Sequence, residues 1–221
     1  MKTYGVFDII GPQMIGPSSS HTAGAARLGL IAYHMAGGDV SRADVTLYGS
    51  FADTGKGHGT DKAIVGGLLG FGPGDERLRD SFKLAEEAGI DITFPMSDEL
   101  TAHPNTARIK VYDHKGGCVD MLGASVGGGN IEVEEVDGME VEFSCDYPTL
   151  LIFYPDIPGM IQKVTSVLAE HSINIAFMRV FRTSKSKEAS MVIETDERVP
   201  QELIEEIKQR APEIERVSEI Q

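Results

Sequence analysis

Two short polar stretches of the sequence contain the residue types that bind anions and transfer protons. The first reads S-S-S-H-T from Ser18 to Thr22, and the second reads G-K-G-H-G-T-D from Gly55 to Asp61. Each precedes a predicted helix, whose first N–H groups and dipole favour an anion. A histidine titrates close to neutral pH and can transfer a proton. The two stretches are therefore able to form an anion site, with His21 and His58 as candidate catalytic acids or bases.

The other polar residues of these stretches are predicted to bind the ligand or to cap the helices. Either Ser20 or Thr22 can cap the first helix, which leaves Ser18 and Ser19 free to bind. Lys56 offers a point charge to a carboxylate, and Asp61 is expected to cap the second helix. A third polar turn, H-P-N, precedes a strand and can reach one ligand. The predicted substrate-binding residues are Ser18, Ser19, Ser20, Thr22, Lys56, Gly57, Thr60, Asp61, His103 and Asn105.

Several alternatives were weighed on the same residues. A multiply capped helix with a surface histidine explains the first stretch without any chemistry, and a plain turn explains the third. A phosphate-binding P-loop is excluded, because the glycine spacing is one residue too long and Gly57 follows Lys56 where Ser or Thr is needed. A hydrolase using Ser20 and His21 is disfavoured, because adjacent side chains at a helix start point in different directions and the sequence has no G-x-S-x-G.

Hydrophobic periodicity predicts the elements that position these residues. The first helix follows the serines and ends at Gly37-Gly38, the region from Ala43 to Phe51 is a strand, and the second polar stretch lies in a loop. Asp137-Gly138 marks a hairpin within the residues from Asn130 to Phe143. The remaining predicted elements are a helix with Ile64, Leu68 and Phe71 on one face, a helix over Asp75 to Ala88 with Leu78, Phe82 and Ala85 inward, and strands over Ile90 to Phe94 and Ala107 to Asp113, while Tyr4 to Ile10 is a short apolar stretch.

After a linker over Ser144 to Thr149, the pattern predicts a second domain with the order βαββαβ, a ferredoxin-like arrangement. The predicted elements are strands over Leu150 to Tyr154, Ile173 to Phe181, Glu188 to Glu194 and Ile214 to Ile220, a helix over Met160 to Glu170 with Ile161, Val164 and Leu168 on its apolar face, and a helix over Gln201 to Arg210. The first strand is apolar on both faces, with Leu151 and Phe153 on one of them. Two helices cover only one face, so we expect self-association through this domain.

The predicted fold is thus α+β, with an N-terminal α/β domain over residues 1–146 that binds a substrate or effector and the ferredoxin-like domain over residues 148–221.

The chain has 221 residues and a net charge of −14, which argues against nucleic acid or an anionic membrane as the main partner. Its apolar runs are too short to span a bilayer, and its first residues lack the features of a signal peptide. We therefore expect a cytoplasmic protein.

The cysteine content limits the metal chemistry of the chain. Cys118 and Cys145 are its two cysteines, and there is no C-x-x-C. Two thiols cannot make a four-thiolate zinc or iron–sulfur site. No histidine or acidic metal-binding pattern is present either, so we expect no metal bound by this chain alone.

The second domain resembles the ACT family of regulatory modules, which pair and bind amino acids. The resemblance rests on the βαββαβ order and on D-x-P-G at Asp156 to Gly159. It implies that Asp156, Gly159 and Asn174 are effector-binding residues. A glycine at this turn lets a ligand approach the backbone, and the following helix offers free N–H groups. The alternative is that Asp156 only caps that helix and the domain only dimerises.

The first domain resembles the iron–sulfur-dependent L-serine dehydratases. The family carries G-P-S-S-S-H-T near its N-terminus and T-G-K-G-H-x-T-D after the first strand, and both motifs occur here, in that order, at Gly16 to Thr22 and Thr54 to Asp61. Together with the ACT domain, the resemblance covers essentially the whole chain and matches the beta subunit of the two-chain form.

That resemblance implies an L-serine ammonia-lyase that converts L-serine to pyruvate and ammonia. It also implies an alpha-chain partner that holds a 4Fe–4S cluster, since the cysteine set is missing here, with the open iron as Lewis acid on the serine hydroxyl. This chain is then expected to provide the base and the carboxylate site. The alternative is a non-catalytic subunit that senses serine and regulates a partner.

Overall fold

The structure, a computed structural model, describes residues 14–95, 97, 99–182 and 187–220, with the side chain of Lys56 left out. The short apolar stretch from Tyr4 to Ile10 and most of the loop before Glu188 lie outside the described residues. By compactness the chain divides into two units, Met1–Asp137 and Gly138–Gln221.

The helices of the first unit pack on one another and on a sheet. A π-helical turn, Ser19–Gly24, leads into α1, and Gly37 and Gly38 follow α1 with φ of 68° and 76°. The elements after it are the helices α2 and α3, a 3₁₀ turn at Glu76–Asp80 and the helix α4. The bounds are α1 Ala25–Met35, α2 Gly49–His58, α3 Thr60–Leu68 and α4 Ser81–Glu87.

The sheet of the first unit has the strand order β2-β1-β3-β4-β5. Its strands are β1 Arg42–Leu47, β2 Asp91–Thr93, β3 Thr106–Tyr112, β4 Cys118–Gly127 and β5 Asn130–Val136. β1 and β2 are parallel, and the remaining neighbours are antiparallel. The core between helices and sheet is built by fully buried apolar side chains, among them Leu28, Val45, Ile64, Leu68, Ile109 and Met121.

The loop predicted between the strand from Ala43 to Phe51 and the helix that carries Ile64 is wrong. β1 ends at Leu47, and residues Gly49–His58 form α2. Its three glycines and one aspartate oppose a helix by intrinsic propensity. Tertiary contacts override that propensity, since Phe51 is fully buried and its backbone N–H donates to the carbonyl oxygen of Pro104 at 3.4 Å.

Three smaller expectations for the first unit also need correction. The helix predicted over Asp75 to Ala88 begins as a 3₁₀ turn, and Phe82 is 41% exposed rather than inward. Asp61 does not cap α3, whose first residue is Thr60 and whose N-cap is Gly59. Strand β4 was not predicted, because its small residues and glycines lack a clear apolar alternation. The expected turn residues Asp137 and Gly138 both have positive φ and separate β5 from the next strand.

Helices α1 and α3 cross where each carries a glycine. A Cβ on Gly29 would lie 2.3 Å from the carbonyl oxygen of Ile64. A Cβ on Gly67 would lie 2.3 Å from the carbonyl oxygen of Ala26. The two backbones are therefore in direct contact, and only glycine fits at these two positions.

The second unit confirms the predicted order βαββαβ after a short leading strand. Its sheet order is β10-β7-β9-β8, with antiparallel neighbours. The elements are β6 Met139–Phe143, β7 Thr149–Pro155, α5 Met160–Glu170, β8 Ile175–Arg182, β9 Glu188–Thr195, α6 Gln201–Arg210 and β10 Arg216–Ile220. Both helices have the predicted bounds. One face of β7 packs against them in a core that includes Ile152, Val164, Leu168 and Ile207.

Two apolar positions of this unit differ from expectation. Ile161, predicted to face the core from α5, is 45% exposed. Leu151 and Phe153, on the face of β7 that was expected to need a partner, are already buried within the single chain, at 1% and 3% exposed. The exposed apolar side chains of the sheet lie instead on the edge strand β8, where Phe177 is 53% and Val180 45% exposed.

Candidate active site

The site is organised by the turn that begins the first helix. Ser18 is the N-cap residue, in extended backbone conformation, and its Oγ accepts a hydrogen bond from the backbone N–H of His21 at 3.1 Å. The expectation that Ser20 or Thr22 is the cap is therefore wrong. The same Ser18 Oγ lies 3.5 Å from Nδ1 of His21, so the cap also contacts the imidazole.

Two hydroxyl groups from α2 hold the other ring nitrogen of His21. Nε2 lies 3.2 Å from Oγ of Ser50 and 3.1 Å from Oγ1 of Thr54. The Thr54 hydroxyl donates its hydrogen to the carbonyl oxygen of Ser50 at 2.8 Å, so its oxygen accepts at the ring. We assign the proton of neutral His21 to Nε2 from this network. Nδ1 then carries the lone pair.

The surroundings keep His21 neutral. Its pKa is lowered mainly by burial, a hydrogen bond to the backbone of Ser50 raises it in part, and repulsion by His58 lowers it further. The ring packs edge-on against buried Phe51, with centroids 5.2 Å apart, and lies 5.0 Å from the ring of His58. An imidazole that is neutral at pH 7, with a bare Nδ1 and a fixed Nε2–H, is suited to accept a proton.

A cavity of about 250 Å³ adjoins His58. Thr22 lines it from the first turn, and its Oγ1 donates to the carbonyl oxygen of His58 at 3.5 Å. Two cationic residues that the sequence reasoning did not select, Lys62 and Arg79, line the same cavity. Residues of both predicted motifs and two cationic residues therefore line the same cavity.

The remaining residues of the second motif are spread over two helices. Lys56 and Gly57 lie in α2, and of the Lys56 side chain nothing is described. Thr60 is fully buried, and its Oγ1 has no hydrogen-bond partner within the described residues. Oδ1 of Asp61 accepts from the backbone N–H of Lys62 at 2.8 Å, and Asp61 lines a second cavity rather than the one beside His58. Ser19 and Ser20 lie half-buried in the π-helical turn.

The third predicted polar turn, H-P-N at His103 to Asn105, lies against the start of α2. Nδ1 of His103 accepts from the backbone N–H of Asn105 at 3.1 Å, which closes the turn. A Cβ on Gly49 would lie 2.7 Å from the carbonyl oxygen of Pro104, so this turn touches the helix that carries Ser50 and Thr54. Oδ1 of Asn105 is buried without a hydrogen-bond partner among the described residues.

The predicted effector residues of the second unit do not come together within one chain. Asp156 pairs with Arg182, at the last residue of β8, with 3.5 Å between Oδ2 and Nη1. Asn174 precedes the first residue of β8 and donates to Oδ2 of Asp196 at 2.6 Å. A strand of this length spans about 25 Å, so Asp156 and Asn174 lie at opposite ends of it. Gly159 is the N-cap of α5 with φ of 94°.

The sequence reasoning missed Ser50 and Thr54 because it placed residues 49–58 partly in a strand and partly in a loop. In a helix, Ser50 and Thr54 are four residues apart and lie on one face, and Phe51 lies beside them on the buried face. Lys62 and Arg79 carry no comparable signal, since single charged residues on helices are usually solvated.

The donor atoms of the chain do not fit an iron–sulfur cluster. Cys118 is exposed on β4 of the first unit, and Cys145 belongs to the second unit. Within the described ranges, no group of three or more His, Cys, Asp or Glu side chains is placed to hold a metal ion. None of the helices in the described ranges has the length and apolar character needed to cross a membrane.

Comparison with known proteins places both units. The family model described as "Serine dehydratase beta chain" matches residues 5–136, and the "ACT domain" model matches residues 148–212. The chain is 47% identical over 220 residues to the "Probable L-serine dehydratase, beta chain" of Bacillus subtilis (strain 168), covering 100% of this chain and 99% of that one.

Two further relatives carry related names. The "L-serine dehydratase, beta chain" of Peptoniphilus asaccharolyticus is 38% identical over 205 residues, with 92% of each chain covered. "L-serine dehydratase TdcG" of Escherichia coli (strain K12) is 36% identical over 158 residues, which cover 60% of this chain and 35% of the relative. On these matches, the chain belongs to the serine dehydratase beta chain family and ends in an ACT domain.

Proposed function

We propose that this chain is the beta subunit of a cytoplasmic L-serine dehydratase, which converts L-serine to pyruvate and ammonia together with an alpha chain. The observation that carries the proposal is the imidazole of His21, which is held by the hydroxyl groups of Ser18, Ser50 and Thr54 and lies 5.0 Å from the ring of His58, a residue that lines a cavity with two cationic residues. The names of the beta-chain relatives support the reaction and the division into two chains.

In this proposal His21 is the base that removes the α-proton of serine. Loss of that proton and of the β-hydroxyl group leaves aminoacrylate, which hydrolyses to pyruvate and ammonia. Nδ1 is the atom that accepts the proton, because Nε2 already carries one and is held by Thr54 and Ser50. Negative charge that grows on the α-carbon is stabilised by cationic groups near the substrate carboxylate.

The 4Fe–4S cluster of the resembled enzymes belongs, in this proposal, to the alpha chain. A cluster of this kind takes cysteine thiolates as ligands, and this chain offers two cysteines in different units. The part of this chain is therefore to bind and orient serine and to hold the proton, while the partner provides the cluster.

The first test of the proposal is an anaerobic assay of pyruvate formation from L-serine. The three samples are this chain alone, the alpha chain alone and an equimolar mixture of the two. We expect activity only in the mixture. Full activity of the alpha chain alone, with this chain merely changing its serine response, would contradict a catalytic role and support a regulatory subunit.

Removing the hydroxyl of Thr54 is expected to lower turnover without unfolding the chain. In Thr54→Val the ring loses the acceptor that keeps the proton on Nε2, so His21 samples the wrong tautomer and kcat falls about 10-fold. Thr54→Ser keeps the hydroxyl and serves as the matched control, with near-normal kcat. Equal kcat in the Val and Ser variants would contradict the role assigned to Thr54.

We also propose that the ACT domain associates with a second copy of itself. Support comes from the exposed Phe177 and Val180 on the edge strand β8, since sheet edges with exposed apolar side chains favour association. An effector site that needs both Asp156 and Asn174 would also require two copies, because these residues are far apart in one chain. Sedimentation equilibrium at micromolar concentration should give a dimer or larger, and a monomer would contradict this.

A further inference from the structure

We propose that the cavity beside His58 binds the carboxylate of a small amino acid, with Lys62 and Arg79 as its counter-ions. The cavity is lined by Ile15, Gly16, Thr22, His58, Gly59, Lys62, Ala63, Leu78 and Arg79. Among these described lining residues two are cationic, one is a histidine and none is acidic. A lining of this composition, in a chain of net charge −14, selects an anion.

The two cations differ from their neighbours in how they are paired. Arg77 contacts Asp75 at 2.6 Å, and Lys83 contacts Glu87 at 3.6 Å. Lys62 and Arg79, by contrast, form no ion pair with any carboxylate in the part of the chain that the structure describes. Two like charges at one cavity repel each other unless an anion lies between them. The guanidinium of Arg79 offers a planar fork that matches a carboxylate, and Lys62 adds a point charge.

Close contacts join the lining residues that precede the first helix to their neighbours. Gly16 has φ of 134°, and a Cβ at this position would lie 2.6 Å from Cγ2 and Oγ1 of Thr22. The preceding residue, Ile15, donates its backbone N–H to the carbonyl oxygen of Pro73 at 2.9 Å. Thr22 itself is 5% exposed. These contacts position Gly16 and Thr22, so that little ordering of these two residues is needed when a ligand binds.

Size and polarity limit the ligand further. A volume of about 250 Å³ is below the usual range for larger metabolites and suits a small amino acid. Ile15, Ala63 and Leu78 supply apolar lining, which disfavours a long or highly charged ligand. The Oγ1 of Thr22 donates its hydrogen to the carbonyl oxygen of His58, so its lone pairs are available to accept from an ammonium group.

The link to catalysis rests on the proposed function. The cavity and the histidine cluster share His58, whose ring lies 5.0 Å from that of His21. A serine held by its carboxylate at Lys62 and Arg79 would direct its α-carbon toward the histidines. Lys62 and Arg79 are then residues that determine specificity for an α-carboxylate.

The test measures ligand binding to the full chain without the alpha chain, by NMR titration. The probes are L-serine, serinol (which has no carboxylate) and inorganic sulfate. We expect L-serine to bind at least about 10-fold more tightly than serinol, and the double variant Lys62→Met with Arg79→Met to lose at least about 10-fold in L-serine affinity. Lys83→Met removes a paired cation nearby and should bind like the native chain.

Three outcomes would overturn the proposal. They are equal affinity for serinol and L-serine, unchanged L-serine affinity in the double variant, and binding of sulfate without binding of L-serine. If the double variant does not fold, Arg79→Lys alone decides, because it keeps the charge and loses the fork, and it should weaken L-serine binding measurably while native affinity would contradict the proposal.

The assay with both chains separates this inference from the proposed function. With the mixture active, the double variant should raise KM for L-serine about 10-fold or more with a smaller change in kcat. An active mixture with unchanged KM would reject the inference and leave the function intact. An inactive mixture together with carboxylate binding through Lys62 and Arg79 would reject the function and leave the site intact.

Discussion

Replacing His21 with alanine is expected to lower kcat of the reconstituted enzyme by a factor of about 10² to 10⁴, the usual contribution of a positioned general base. The reason is local, since Thr54 and Ser50 hold the protonated Nε2 of His21, which makes Nδ1, 3.5 Å from Oγ of Ser18, the basic atom of the ring. The measurement is anaerobic pyruvate formation at saturating L-serine.

Two companion variants make this result specific. His21→Gln keeps a side-chain amide that can donate to Thr54, yet it cannot accept a proton, so it should be as inactive as His21→Ala. His114→Ala removes an exposed histidine that pairs with Asp39, away from the site, and should be fully active. Activity of His21→Gln near the native level would show that the ring only positions the substrate, which contradicts the role of base.

The pH dependence carries the same information. The pKa of His21 is lowered from 6.5, first by burial, so the folded chain keeps the imidazole neutral to a more acidic pH than a free histidine. A base must be neutral to act, and kcat/KM should therefore fall only as pH drops below 6.5, with its acid limb on that side. An acid limb centred well above 6.5 would contradict a neutral His21 as the base.

Replacing Gly67 with alanine is expected to destabilise the first unit by about 1–3 kcal/mol. The new Cβ would lie 2.3 Å from the carbonyl oxygen of Ala26 and 2.5 Å from the backbone nitrogen of Leu30. Backbone atoms cannot rotate away, so helices α1 and α3 must separate. Because the turn with His21 leads into α1, and α3 begins just after His58, the shift should also reduce activity. Thermal unfolding followed by circular dichroism measures the loss, at about 2–4 °C per kcal/mol for a chain of this size.

Gly72→Ala is the matched control for that experiment. A Cβ on Gly72 meets no described heavy atom within 4 Å, so the change from glycine to alanine should leave the melting temperature within a degree or two. Alanine favours a helix over glycine by up to about 1 kcal/mol, which acts against the expected loss at Gly67. A Gly67→Ala chain as stable as the native one would therefore show that separating the two helices costs no more than this gain in helix propensity, which contradicts the expected loss.

Prediction from the sequence was most accurate for the elements whose apolar residues repeat regularly from end to end. In the second unit, α5 begins after Gly159 and α6 after Pro200, and both helices match the predicted bounds because a regular stripe lies between clear start and stop signals. The first helix was found for the same reason, with Leu28, Ile31 and Met35 on its buried face.

Prediction failed where tertiary contacts outweigh local preference. The glycines of residues 49–58 indicate a loop, while the buried Phe51 and its contact with Pro104 hold a helix. Because of that single error Ser50 and Thr54 were not predicted, although their hydroxyl groups orient the imidazole of His21. Lys62 and Arg79 were missed for a different reason, since only the folded chain shows that both reach one cavity.

The most direct test of the central claim is the ¹⁵N NMR spectrum of the His21 side chain in the full chain, recorded across a pH titration. The claim is that this chain itself builds a neutral base whose proton is on Nε2 and whose free lone pair is on Nδ1. We predict a protonated Nε2, a bare Nδ1 and a pKa below 6.5. A proton on Nδ1, or a pKa above 6.5, would contradict the assignment of His21 as the base.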